Sequence, residues 1–400
     1  MTHVVVVGGG IGGLAAAGFL HRAGLRVTVL ERSGSLGDVG AGIQVSPNAS
    51  RLLADLGVLD RVLDAGVQPD RSVRHRWQDG SVVTSRPLRP AMVERYGFPY
   101  VVVHRADLVD ALASALPPGC LRLGVRAEAV EDHGPAVTVR TTAGPVPADV
   151  VLGADGVHSV VREHVLATPR RPSFSGDVAY RATVPAADVD VPEPAREVHV
   201  WMGPGAHLVA YAVRRGTVVN LVACVETGRW AEESWDRPGD VADLRAHFAG
   251  WAPEVRALLD RVTGTHVWGL FHDDPLPRWS RGRVALLGDA CHPMLPYLAQ
   301  GGSQAIEDAV TLAELLAGRA GTKPSDVPGL LRRYQDLRRP RTSALQQAAI
   351  AVRRSNHLPD GPDQRERDDP ARSATGRPSA VPDVYGHDAR AVAVGALAHS

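Results

Sequence analysis

The sequence lacks the features that most quickly assign a chain to a class. Its 400 residues include three cysteines, Cys120, Cys224 and Cys291, widely scattered and with no Cys-x-x-Cys pair. They cannot build a disulfide framework, and a reducing, cytoplasmic setting is the expectation. Charge of one sign is also missing: 44 Lys+Arg against 44 Asp+Glu leaves a formal net charge of +0, with no basic block. Electrostatics therefore gives no reason to expect nucleic acid or an anionic membrane as partner. No apolar run approaches the roughly 20 residues of a membrane-spanning helix. The opening "MTHVVVVGGGIGG" has no basic leader and meets glycines at once, so it reads as a buried strand and not as a signal peptide. No internal repeat is visible. Hydrophobic content of 44% and charged content of 22% are ordinary for a globular chain, and the length allows two or three units with sizeable cores.

What is present begins as β-α-β. His3–Val7 suits a buried parallel strand, 14–23 has helical spacing, and "LRVTVLE" (25–31) is a second strand. A helix is expected over 48–65, a strand pair over 71–90 around Asp79-Gly80, and a helix over 105–116 stopped by Pro117-Pro118. "ADVVLGADGVHSVVREHVL" (148–166) is again strand, turn, helix. Alternating strands then fill 173–270, with a helix near 240–260, before "RVALLGDA" (283–290) returns to the buried-strand type. The stretch 359–383, rich in Pro, Asp and Arg, reads as an exposed, irregular wrap. The expectation is an α/β, Rossmann-like domain from 1–70, 98–172 and 276–350, interrupted by a mainly antiparallel β domain from 71–97 and 173–275. Residues 351–400 would form a C-terminal extension.

Gly8-x-Gly10-x-x-Gly13 lies between the first strand and helix. Such a triplet permits a tight turn, a close backbone approach to a pyrophosphate and close helix–strand packing. Ile11 and Gly12 complete the loop, and the helix N-terminus offers free N–H groups and a partial positive charge. Glu31, followed by Arg32, stands where an acid meets adenosine ribose hydroxyls. One fingerprint without a second is compatible with FAD or NAD. Further along, Asp289 follows a strand, and Gln300-Gly301-Gly302 opens a helix packed through Ala305, Ile306, Ala309, Leu312, Leu315 and Leu316.

The fingerprint, "VVLGADGVHSVVR" (150–162) and "GRVALLGDACHPMLPYLAQGGSQAIEDA" (282–309) together resemble the single-component FAD-dependent aromatic hydroxylases, the class A flavoprotein monooxygenases. "GAGIQVSPNASRLLADLG" (40–57), "YVVVHRADLVDAL" (100–112), "HLVAYAVRRGTVVNLVA" (207–223), "HLPDGPDQRERD" and "YGHDA" look like the salicylate hydroxylase, 3-hydroxybenzoate 6-hydroxylase and 6-hydroxynicotinate 3-monooxygenase group. The resemblance implies non-covalent FAD as the cofactor, with NADH or NADPH as co-substrate. It implies that Asp155 and Gly156 form a turn shared by flavin and nicotinamide, and that Arg105 contacts the pyrophosphate. Gly288 and Asp289 would meet the ribityl chain, and Gln300, Gly301 and Gly302 the flavin's pyrimidine edge. The chain departs from the family pattern at Ala299, where many members have Gly, and at Ser303, where many have Asn. A methyl at 299 narrows the available backbone angles.

Cys291-His292 invites a catalytic or metal reading. Adjacent side chains usually diverge, and no further ligands stand at regular spacing, so Cys291 reads as a small apolar residue and His292 as a loop-orienting one. His207 and Tyr211, four apart on a strand, share a face. From spacing alone they are either pocket groups or half-buried residues without chemistry. By resemblance they line the aromatic pocket with Gln44, Pro296 and Tyr297, and His207 or Tyr211 takes or shares a phenol proton. Arg214 and Arg215 read as solvated strand-end arginines more readily than as carboxylate binders. The implied reaction is NAD(P)H- and O2-dependent hydroxylation of a small phenolic acid, salicylate-like and decarboxylating or not, through a flavin C4a-hydroperoxide. A hydroxylase of a larger polyketide-type substrate shares these motifs, and a flavin- or ligand-binding protein without turnover is the alternative of another class. The oligomer is a monomer or homodimer, with no metal, nucleic acid or membrane.

Overall fold

The computed structural model describes residues 1–37, 41–168, 172–189, 196–228, 237–318, 326–369 and 383–398. Its first sheet is centred on His3–Val7, whose valines are all buried and which pairs in parallel with Arg26–Leu30 on one side and Val150–Gly153 on the other. Val284–Leu286 and the short Leu121–Arg122 extend the parallel sheet, and Ser280–Arg281 closes it as an antiparallel edge. Such strands are covered on both faces, which is why they read as unbroken apolar runs. The helices Ile11–Arg22 and Gly301–Ala317 pack on each other beside this sheet. Gly12 sets how closely they approach: a methyl there would lie 3.0 Å from Ala305 Cβ.

The second large sheet has eight strands, in the order Pro238–Gly239, Thr265–His272, Ser173–Pro185, Val218–Glu226, Ala206–Val213, Glu197–Gly203, Arg71–Arg76 and Val82–Pro87. All neighbours are antiparallel except Glu197–Gly203 with Arg71–Arg76. The architecture is thus a Rossmann-like α/β unit joined to an antiparallel β unit. One face of the eight-stranded sheet carries Val178, Tyr180, Ala182, Trp201, Leu208, Ala210, Leu221 and Ala223. It is buried beneath the helices Val241–His247 and Pro253–Asp260. Because side chains alternate along a strand, the residues between these point to the opposite face.

Local differences from the sequence reading have plain causes. The helix expected over 48–65 is two, Pro47–Asp55 and Leu59–Ala65, broken by Gly57 at φ +71°. The helix near 240–260 is also two, the second starting at Pro253, where a missing N–H costs nothing. The helix starting at 105 ends at Ala113. Part of the expected irregular wrap is helical, Pro362–Arg367, while 370–382 lies outside the described residues. The 30-residue helix Val327–Asn356 ties the two sheets together. Tyr334 donates to the Leu286 carbonyl of the first, at 2.9 Å, and Arg353 pairs with Asp177 of the second.

Candidate active site

The glycine loop forms an open cradle. Gly8, at φ +110°, has no room for a Cβ against the Ala154 carbonyl, and one on Gly13 would run into Gly8 O. Gly10, by contrast, faces open space, and the helix that follows has no side-chain cap. Its first-turn N–H groups are therefore available to a phosphate. Glu31 stands at the edge, accepting from Gly9 N–H at 2.7 Å and from Ser33 N–H at 2.8 Å. Arg32 beside it is exposed. Gly156, at φ +78°, and Gly301 also face room, the latter with Asp289 Oδ1 4.0 Å from where its Cβ would be. Arg105 starts a helix, and its charge reaches Asp289 and Arg181. Two uncapped helix starts, at 11 and 301, with open glycines between acidic and basic side chains, fit an elongated dinucleotide such as FAD.

At two of the positions implied to form the cradle, the side chains bond within the protein. Asp155 accepts from Ser159 Oγ at 2.5 Å and from the Val160 and Val161 amides at 2.7 and 3.2 Å, so its carboxylate starts the helix Val160–Leu166. Gln300 is buried, with its amide donating to Ser46 Oγ and its carbonyl accepting from Asn48 and Gln304. What these positions offer the cradle is backbone. Arg162 fixes that backbone: its guanidinium donates to the carbonyls of Val157, Asp289 and Ala290 at 3.0, 2.8 and 2.7 Å.

Beneath the loop lies a closed polar network. Arg338 donates to Glu307 at 2.5 Å and to Asp308 at 2.8 Å, and Arg341 donates to Glu307 at 2.9 Å. Burial pushes both carboxyls up, but the guanidiniums on Glu307, and His292 with Arg338 on Asp308, bring each down to about 2. Asp308 also accepts from Gly288 N–H and is 2.6 Å from His292 Nε2. His292 thus ties the loop to the helix, while Cys291 sits in the core with its thiol pushed up by burial.

The eight-stranded sheet presents its other face to this region. Cross-strand partners there run Arg74–Val200–Val209–Val222–Arg181 in one row. All five are partly accessible in strands whose neighbouring positions are mostly buried, so this row lines a space. With strands about 4.8 Å apart, the three valines make an apolar floor about 10 Å across. His207, two residues from Val209, stands on one side of the row and Tyr211 on the other. Arg74 closes one end, its guanidinium's one hydrogen-bond contact among the described residues being Met202 Sδ at 3.9 Å; burial, then Arg86 and Arg367, lower its pKa. Arg181 closes the other end, stacked 3.7 Å over the Trp268 ring, with Nε unpartnered and its pKa lowered by burial to about 10. Among the described residues neither guanidinium meets a carboxylate.

Burial first, then the charges of His357 and Arg74, hold His207 well below the usual imidazole range, so it is neutral. Burial raises Tyr211, which stays protonated beside Gln44; the Tyr100 hydroxyl donates to Gln44 Oε1. Tyr297 packs its ring on His207, centroids 5.1 Å apart, while its hydroxyl donates to Asp177. The Pro296 carbonyl accepts from Ala299 N–H at 2.9 Å. Ala299 adopts φ +53°, ψ +37°, the left-handed conformation that glycine tolerates best, so the departure from the family pattern falls where it costs most. Ser303 is buried 3.4 Å from Ser46 Oγ.

His207 with Tyr297, and Tyr211 with Gln44, therefore flank the valine row from its two sides. Arg214 and Arg215 stand outside it, at a turn, where Arg215 donates to the Asp64 carbonyl. Arg74, Arg181 and His357 were missed by sequence reasoning. The alternation in "RSVRHRW" was a usable signal for Arg74, since it puts Val73 and His75 on one face and Arg74 on the other. His357 lies 150 residues from its partner His207, with no local pattern to connect them.

The sequence and the fold have known counterparts. Residues 1–349 match the family model described as FAD binding domain. A 3-amino-4-hydroxybenzoate 2-monooxygenase of Streptomyces platensis is 40% identical over 376 residues, covering 92% of this chain and 93% of the relative. A salicylate hydroxylase of Pseudomonas putida is 35% identical, covering 86% and 83%. Among solved structures, a salicylate hydroxylase substrate complex superposes with a TM-score of 0.83 at 28% identity, covering 99% and 98%.

Proposed function

This chain belongs to the FAD-dependent monooxygenases that hydroxylate aromatic rings, and on that premise we propose that it acts on a single-ring phenolic acid with NAD(P)H and O2. The observation that carries the reading is the valine row, an apolar floor about 10 Å across ending in guanidiniums that meet no carboxylate among the described residues. A guanidinium partly withdrawn from water without a counter-charge is costly, and an aromatic carboxylate supplies the missing charge. Relatives named for 3-amino-4-hydroxybenzoate and salicylate support the same class.

Bound FAD supplies the redox chemistry that couples NAD(P)H oxidation to insertion of one oxygen atom. The chain's own residues bind and orient. Arg74 pairs with the carboxylate, and Val200, Val209 and Val222 support the ring. Neutral His207 is the base that draws the proton from the phenol, raising ring electron density. Tyr211, held protonated, donates a hydrogen bond and does not act as base. Tyr297 packs against His207 and helps exclude water.

The test is NAD(P)H oxidation by the flavin-loaded protein with 3-amino-4-hydroxybenzoate, salicylate and related acids, with product and peroxide quantified. Stimulation coupled to hydroxylated product is expected; flavin binding without stimulation by any phenolic acid would sink the reading. His207→Ala is expected to slow hydroxylation about 100-fold, and Tyr211→Phe to divert turnover toward hydrogen peroxide. Wild-type coupling in both would remove them from the mechanism.

A further inference from the structure

Behind His207 the hydrogen bonding continues. His207 Nδ1 lies 2.7 Å from His357 Nε2, and His357 Nδ1 lies 3.0 Å from Glu226 Oε1. The two imidazoles are buried, whereas the Glu226 side chain is 41% exposed. His207 Nε2 makes no hydrogen bond with the described residues, which leaves it for a ligand. With Glu226 as acceptor at the outer end, the tautomers are set in series: Nδ1–H on His357, and therefore Nδ1–H on His207. Each donor points outward and each lone pair points inward.

We propose that His207, His357 and Glu226 form a relay that carries the phenolic proton of the substrate from the pocket to solvent. The proposal rests on the reading above that His207 faces the ring. In the outward step the phenol O–H breaks and the proton joins His207 Nε2. The Nδ1 proton of His207 passes to His357 Nε2, that of His357 passes to Glu226, and water takes it. Return of a proton to the same oxygen, as the ring becomes aromatic again, runs the line backward and restores both tautomers.

The surroundings suit the task. Arg353 holds the far end, donating to Asp177 and lying 3.1 Å from Glu226. It already neutralises these acids, so the Asp177–Glu226–His357 group is not left for a metal ion. The charged or titratable groups facing the two imidazoles are Asp177, Glu226, Arg353, Tyr297 and Arg74.

The test uses the flavin-loaded full chain with an acid that the wild type hydroxylates. Glu226→Gln keeps a hydrogen-bond acceptor for His357 but cannot take a proton. It is expected to lower kcat on the order of tenfold, leave KM and the flavin spectrum unchanged, and enlarge the solvent deuterium effect. Glu226→Asp, or a high concentration of a small buffer base, should recover the rate. His357→Gln should give the same loss, and the double variant no more than either alone. Wild-type kcat and pH profile in both single variants overturn the relay. So does a loss that comes with flavin release and is not recovered by Asp or buffer. If the wild type hydroxylates no phenolic acid, the functional reading fails and takes the relay with it.

Discussion

Two buried polar regions of this molecule treat charge in opposite ways. Under the flavin loop, Glu307, Asp308, Arg338 and Arg341 are joined into a network in which every charge meets its opposite. On the open face of the eight-stranded sheet, Arg74 and Arg181 meet no carboxylate among the described residues, and His207 is kept neutral. The first region is finished without a ligand, so its charges fix the position of the Gly288–Asp289 loop and the helix at 301. The second is unfinished, so its charges await one. Neutralised charge positions the protein, and unneutralised charge is left for a ligand, which in the proposed function is the substrate.

Breaking the closed region should have the largest effect. Arg338→Met leaves two buried carboxylates short of a counter-charge and should cost about 3–5 kcal/mol of stability, read by denaturant unfolding. The pH dependence sharpens this. The network's contribution is present above the ordinary carboxylate range near 4 and is lost as pH falls toward about 2. His199 and His387, held at about 4, add an earlier loss as pH drops below about 6.5, the ordinary imidazole value. In Arg338→Met the carboxylate limb should move to higher pH, and His387, which Arg338 helps to depress, should move with it, while His199's share of the histidine limb stays, as followed by urea midpoints across pH.

Arg74→Gln should do the reverse. Stability should change by less than about 1 kcal/mol, while affinity for phenolic acids falls about 10- to 100-fold. A titration of the flavin spectrum measures this, and an uncarboxylated phenol should bind both proteins alike. A large loss of stability with unchanged affinity would erase the contrast between the regions. The smallest effect is expected at Ala299→Gly, which relieves a left-handed alanine but loosens the unfolded chain. A gain of no more than about 1 kcal/mol in thermal unfolding is the expectation.

How far the sequence is legible follows the same division. Features governed by neighbours along the chain can be read: the Gly8–Gly13 turn, the buried parallel strands, and the hairpin around Gly80 with its φ of +71°. The apolar face of the helix Gly301–Ala317 is readable too, but its charged face looks solvated, although Glu307 and Asp308 are wholly buried. Arg338, which buries them, comes 30 residues later, and no periodicity connects the two. In the site, alternation reveals which residues share a face but not which face lines the pocket. That is why His207 and Tyr211 were accessible to reasoning through resemblance and Arg74 was not. Asp155 shows the limit in the other direction, since a motif aspartate can serve its own helix.

The strand Ala206–Val213 supplies His207, Val209 and Tyr211 to one face and Leu208 and Ala210 to the other. A slip of a single residue during folding would exchange the two sets. It would push an imidazole and a phenol against the helices Val241–His247 and Pro253–Asp260, and line the pocket with leucine and alanine. A mispaired form would therefore be unstable as well as inert. The folding equilibrium itself proofreads this face, and a chain that reaches the native state has His207, Val209 and Tyr211 in register.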